Sequence, residues 1–152
     1  MSEFEWSEEL KVGVDCFDSQ HKKWIELARE VNKALQEEYE VDLISAAESK
    51  AQAEKIIEEA FTEFLLYTRR HLRAEEKQMR KYDFPGYEEH RKEHNKYRNL
   101  VQKIKKIYKE NSREGKEKLL QFLREWLLKH IKQTDKKYGN YLPSKLEIDE
   151  TT

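Results

Sequence analysis

Five histidines occur in this chain, and each stands at a spacing suited to a metal ligand. His71 has Glu75 four residues on, His90 has His94 four residues on, and His130 has Asp135 five residues on, while His21 stands near the start. Residues i and i+4 of an α-helix lie on one face, so one helix can aim an imidazole and a carboxylate at a point, and the next can aim two imidazoles. Seven such ligands suit two metal ions better than one. Glu75 and Asp135 would be costly to bury alone, whereas a pair of divalent cations more than offsets two carboxylates and a bridging hydroxide.

The donor set narrows the chemistry. Glu-x-x-His, which ferritin-like di-iron bundles use, is absent: Asp18, Thr68, Tyr87, Arg91 and Leu127 stand three residues before the histidines. HExxH is absent too, which argues against a zincin protease. Imidazole suits iron, zinc or copper, and bridging carboxylates suit harder ions. The set therefore favours two irons linked by Glu75 and Asp135. A lone buried histidine is more often part of a hydrogen-bonded core than a ligand. Five at matched levels are not explained that way.

The elements that must position these side chains are helical. Charged residues make up 40% of the 152 and hydrophobic ones 37%, with only four Gly and two Pro, a composition that favours solvated helices. Seventeen aromatics (three Trp, eight Tyr, six Phe) and periodic apolar stripes argue against disorder. Residues 1–17 read as an extended arm packing across a bundle, with Phe4, Trp6, Leu10, Val12, Val14 and Phe17 apolar. Asp18 is a plausible N-cap for a first helix to about residue 39, with His21 in its first turn.

Ser45 to Tyr82 favours helix throughout, about 57 Å if continuous, so a short extra helix and a break are expected within it. Residues 41–54 are read as an insertion between the first two main helices. Ile56, Ile57, Ala60, Phe64, Leu65, Tyr67, Thr68 and His71 mark the inward side of the second. Asp83-Phe84-Pro85-Gly86 is a turn, and a third helix runs from 87 to 110 with Tyr97, Leu100, Val101, Ile104 and Tyr108 in line with His90 and His94. Asn111, Ser112 and Gly115 mark the next turn, a fourth helix spans about 116–137, and the tail 144–152 frays. The expected fold is all-α: one domain over 1–152, an antiparallel up-and-down four-helix bundle with an N-terminal arm and a longer first connection.

In that topology the ligands alternate early, late, early, late along four helices, which brings them to one end. His130 and Asp135 are the exception, because five residues turn about 140° around an ideal helix. Either the end of the fourth helix is distorted, or Asp135 reaches in from its last turn.

Other classes are poorly supported. Net charge is −1 with no basic face, which argues against nucleic acid. No apolar run is long enough to span a membrane, and the acidic opening MSEFEWSEEL is not a signal peptide. The expectation is a cytoplasmic protein, monomeric or weakly self-associating, with Cys16 a single half-buried thiol.

At this point the chain resembles the hemerythrin family, within it the bacterial single-domain bacteriohemerythrins. The resemblance rests on Trp6, VGVDCFDSQHK (12–22), YTRRHLRAEEKQM (67–79), HRKEH (90–94) and WLLKHIKQTDKKY (126–138), nearly the whole length. It implies that one iron takes His90, His94 and His130, that the other takes His21 and His71 with an open position, and that Glu75 and Asp135 bridge them. It further implies reversible O₂ binding at the open iron, without enzymatic turnover, for carriage, storage or delivery to an oxidase or oxygenase.

Trp24 stands where the family usually has an aliphatic residue lining the O₂ pocket, and Leu127 is the matching apolar residue that would keep water out. The His21–His71 separation is also longer than is usual. Two other readings share the same irons: a sensor or interaction module, and an enzyme turning over peroxide or nitric oxide.

Overall fold

Four helical rods carry the chain in the computed structural model, which describes residues 4–44 and 47–146. They are α1 (Asp15–Ile44), α2 (Ala47–Lys81), α3 (Tyr87–Glu110) and a fourth rod that opens as α4 (Ser112–Phe122). α1 packs along α2, and α3 along α4, with no strand among the described residues. The expected all-α bundle is the observed one. Among the described residues, no helix is long and apolar enough to cross a membrane.

α2 runs unbroken for 35 residues, without the break expected inside it. α1 lengthens to match, at 30 residues. The extra sequence around 41–54 thus extends both helices, apart from residues 45 and 46, which lie outside the described set. The hairpin runs about 36 Å from His71 to its far end, against about 24 Å from His94 to the end of α3.

Helix starts also differ from expectation. α1 begins at Asp15, whose N–H donates to the Ser144 carbonyl (2.9 Å). Asp18 is therefore inside the helix, and His21 falls in the second turn. The Asp18 carboxylate reaches back to accept the N–H of Val12 (2.7 Å) and Gly13 (3.2 Å), fastening the arm to the helix. α4 starts four residues earlier than expected, because the Asn111 side chain caps it by accepting from the Glu114 N–H. Gly115 thus sits within the first turn of α4. A Cβ there would meet the Tyr108 Cα at 2.4 Å, so the absence of a side chain is what lets α3 and α4 meet so closely.

The core is continuous from the arm to the fourth rod. Trp24, Tyr138, Phe4, Phe17, Phe64 and Met79 are among its largest fully buried members. The arm closes one end of the bundle: Phe4, Leu10, Val12 and Val14 are buried, and Arg29 donates to the Phe4 carbonyl. Val12 crosses over Gly139, where a Cβ would lie 2.2 Å from the Val12 carbonyl oxygen. Leu142 and Leu146 are buried as well, so the tail packs as far as residue 146, and 147–152 lie outside the described residues. Two positions read as inward, Ile56 and Leu100, are exposed instead, at 43% and 40%.

Candidate metal centre

The ligand-bearing stretches meet at the arm-covered end of the bundle. His21 comes from α1, His71 and Glu75 from α2, His90 and His94 from α3, and His130 and Asp135 from the fourth rod, all 3% exposed or less. The fourth rod reaches this point by unwinding. After α4 it makes a π-helical turn at Leu123–Leu127, a second at His130–Thr134, and a 3₁₀ turn at Asp135–Tyr138. The Asp135 N–H donates to the His130 carbonyl, an i→i+5 bond. That wider winding brings Asp135 round beside His130, where an α-helix would have turned it away. Of the two alternatives left open by the spacing, helix distortion is the one observed.

The seven side chains converge through their outer atoms. Asp135 Oδ1 lies 2.9 Å from His90 Nε2 and 3.0 Å from His130 Nε2, and Oδ2 lies 3.0 Å from His21 Nε2. Glu75 Oε1 lies 3.3 Å from His71 Nε2 and 3.5 Å from His94 Nε2, and Oε2 lies 3.5 Å from His21 Nε2. Two overlapping groups result. One comprises Glu75, His90, His94, His130 and Asp135; the other comprises His21, His71, Glu75 and Asp135; within each, the ligand atoms all lie within 4.8 Å of one another. Both carboxylates belong to both groups, as bridging ligands must.

These atoms crowd together without hydrogen-bonding. His21 Nε2, His71 Nε2, His90 Nε2, Glu75 Oε1 and both Asp135 oxygens are buried with no hydrogen-bond partner. Leaving one such group unpaired costs about 1–3 kcal/mol, so a converging set of six calls for cations among them. The outer nitrogens say the same. His94 Nδ1 faces Glu76 at 3.2 Å and His130 Nδ1 faces Glu93 at 2.7 Å. A carboxylate only accepts, so each Nδ1–H donates, and in the neutral ring each Nε2 carries a lone pair. Those two Nε2 atoms stand 3.3 Å apart, close enough to share either a proton or a cation.

The cluster's charge resides on its two carboxylates and on two of its imidazoles. Burial and the Asp135 charge oppose ionisation of Glu75, but the His71 and His21 imidazoles outweigh them and hold it below the usual carboxylate range. Burial opposes Asp135 likewise, and His130, His21 and His90 hold it well below that range. Burial pushes His71 and His94 down, which keeps them neutral. Burial also lowers His21 and His130, but their carboxylate contacts prevail and raise them to about 9 and about 10. Burial, then the Glu75 and Asp135 charges, push the Tyr138 phenol well above its ordinary value, so it stays protonated and donates to Glu75 Oε2.

Spacing did not reveal the outer layer. Gln20 Oε1 accepts from His71 Nδ1 (2.6 Å), Glu76 serves His94, and Glu93 serves His130 while also accepting from Thr134 Oγ1 (2.9 Å). Each supporter lies one residue from a ligand, on the helix that precedes the imidazole it orients. Adjacency to a ligand was the available signal. Trp24 is fully buried, with its ring 4.9 Å from His71 and 5.1 Å from Trp126, and its Nε1–H donates to Thr68 Oγ1 (2.7 Å). It therefore stands on the His21–His71 side. Leu127 is fully buried in the first π-turn.

Comparison with known proteins agrees with this arrangement. Residues 12–142 match the hemerythrin HHE cation binding domain. The chain is 26% identical to a bacteriohemerythrin of Clostridium acetobutylicum over 89% of its length and 98% of that protein's. It is 29% identical to a myohemerythrin of Riftia pachyptila over 91% of its length and 94% of that protein's. No solved structure matches at comparable stringency. The chain belongs to the hemerythrin family.

Proposed function

From membership of that family, we propose that the chain binds O₂ reversibly at a non-haem di-iron centre and serves as a carrier, store or delivery protein rather than an enzyme. The observation that carries this reading is the asymmetry of the two ligand groups, five side chains against four with the carboxylates shared. Iron held by His90, His94, His130, Glu75 and Asp135 would be nearly saturated, and iron held by His21, His71, Glu75 and Asp135 would keep room for a small ligand. When bound, a ferrous pair would supply the two electrons that O₂ takes up and returns.

The protein's own part is to hold and to exclude. Glu75 and Asp135 offset cation charge in a buried site. Gln20, Glu76 and Glu93 fix the tautomers of His71, His94 and His130, so that each Nε2 faces inward. The Tyr138 hydroxyl holds Glu75 in place. Trp24 and Leu127 present apolar surface that keeps water, and the protons it carries, from the small ligand. All five histidines lie in the cluster, which leaves no imidazole as a distal acid or base and favours binding over turnover.

The test is anaerobic reduction of iron-loaded protein followed by O₂. Visible charge-transfer absorption is expected to appear and then to vanish on argon purging, with two irons per chain by metal analysis. Irreversible formation of ferric product would refute the proposal.

A further inference from the structure

A file of aromatic rings links the buried cluster to the surface. Trp24 lies 4.9 Å from the His71 ring, Trp126 lies 4.9 Å from the His130 ring, and the two indoles are 5.1 Å apart, centre to centre. Each indole therefore adjoins a ligand of a different ion group. Beyond Trp126, the Tyr97 ring follows at 3.8 Å. Trp126 is buried, whereas Tyr97 is half-buried and lines an open groove of about 550 Å³ between α3 and the fourth rod. The file thus begins at both groups and ends at water.

Packing alone does not account for the choice of residues. The Trp126 Nε1–H is buried with no hydrogen-bond partner, a cost that phenylalanine would avoid. Phe122 stacks on the same indole with no polar atom to satisfy. What tryptophan and tyrosine add is ease of losing an electron. The Tyr97 phenol also faces the Glu93 carboxylate, which has His130 Nδ1 at 2.7 Å. A carboxylate can take the phenolic proton as the electron leaves, so oxidation ends on a neutral ring. Tyr138, the tyrosine beside Glu75, has no such exit, because it is fully buried.

We propose that Trp126 and Tyr97 form a one-electron relay that carries oxidising equivalents from the metal centre to the groove between α3 and the fourth rod. The relay rests on the iron of the reading above, and not on reversible O₂ binding. Its oxidant is peroxide, the two-electron reduction product of O₂. Peroxide needs two electrons and two protons to become two waters. From a half-oxidised pair of irons it can draw one electron. The second comes from Trp126; Tyr97 then gives an electron to the Trp126 radical cation and its phenolic proton to Glu93. A small hydrogen-atom donor of the enediol class reaches Tyr97 through the groove and restores the phenol, and Glu93 returns its proton to water. No electron is then drawn from the ligand imidazoles. Trp24 extends the same exit to the His71 side.

For the test, iron-loaded full-length protein is reduced, given one equivalent of ferricyanide per chain, mixed with one equivalent of hydrogen peroxide and freeze-quenched. Electron paramagnetic resonance should show a tyrosyl radical, which added ascorbate removes. Most of that signal should be lost in Tyr97→Phe and in Trp126→Phe, and none in Tyr141→Phe, an exposed tyrosine outside the file. Peptide mass spectrometry should find more oxidised His130 in Tyr97→Phe than in wild type. Tyr97→Phe keeps the ring and its packing, so it tests the relay even if the Trp126 variant unfolds. Absence of a radical, an undiminished radical in Tyr97→Phe, or a radical lost only in Tyr138→Phe would overturn the proposal. Any of those results beside reversible O₂ absorption would sink the relay and leave the carrier reading standing. Irreversible oxidation by O₂ with the Tyr97 radical present would do the reverse.

Discussion

Glu75→Gln is the substitution that separates a bridged two-cation site from two neighbouring sites. Gln keeps the shape and can still accept from Tyr138, but it removes a charge and one good ligand from both groups. The larger group falls from five ligands to four and the smaller from four to three. Charge matters more. Two divalent cations against two carboxylates leave an excess of two positive charges, and against Asp135 alone the excess is three. In a site this buried, an added uncompensated charge costs about several kcal/mol, so the cation in the three-ligand group is expelled. The remaining cation also loses a bridging carboxylate. Its affinity is expected to fall by at least the roughly 10–100-fold that loss of a mere outer partner brings.

His71→Ala makes the contrast, because it removes one imidazole from the smaller group and leaves the larger group and the charge balance untouched. The assay is iron per chain by plasma mass spectrometry, before and after a chelator challenge, with circular dichroism to confirm folding. Wild type should hold two irons. His71→Ala should keep one that resists the chelator. Glu75→Gln should keep at most one, and that one labile. Two chelator-resistant irons in Glu75→Gln, or loss of both in His71→Ala, would refute the bridged assignment.

Three further outcomes follow from particular contacts. Trp24→Leu removes the hydrogen bond to Thr68 and opens space beside His71. It should cost about 2–4 kcal/mol in thermal unfolding and speed conversion of the reduced protein to its ferric form in air; an unchanged oxidation rate would remove Trp24 from the pocket. Gly139→Ala drives a Cβ to 2.2 Å from the Val12 carbonyl oxygen, and Gly115→Ala drives one to 2.4 Å from Tyr108. Each should lower stability by about 1–3 kcal/mol, read by urea titration, and a stabilised variant would show that the backbones part easily. Cys16 is pushed up to about 11, mainly by burial. Its alkylation by iodoacetamide should therefore rise about tenfold per pH unit from 7 to 10, and a plateau near pH 9 would contradict that shift.

The convergence of the seven side chains was readable because its geometry is local. A four-residue spacing places two side chains on one face whatever surrounds the helix, and alternating early and late positions bring four helices to one level. Asp135 was not settled that way, since a five-residue spacing is wrong for an α-helix and right for a π-turn. Which winding prevails depends on what residue 135 meets across the bundle, namely His21 and His90. The expected break in α2 failed for a related reason. It assumed that partner helices keep a common length, whereas α1 lengthened along with α2 and both remained paired.

The outer layer was hardest, because Gln20, Glu76 and Glu93 look like ordinary solvated positions on charged helices. Their role follows from a rule that the fold supplies. A residue adjacent to a ligand is turned about 100° from the centre, and in an antiparallel bundle that direction faces the neighbouring helix's ligand. Gln20 on α1 meets His71 on α2, Glu76 on α2 meets His94 on α3, and Glu93 on α3 meets His130 on the fourth rod. Each helix thus orients an imidazole of the next. Once the bundle's order is known, polar residues beside ligands become the first places to look for what holds those ligands in line.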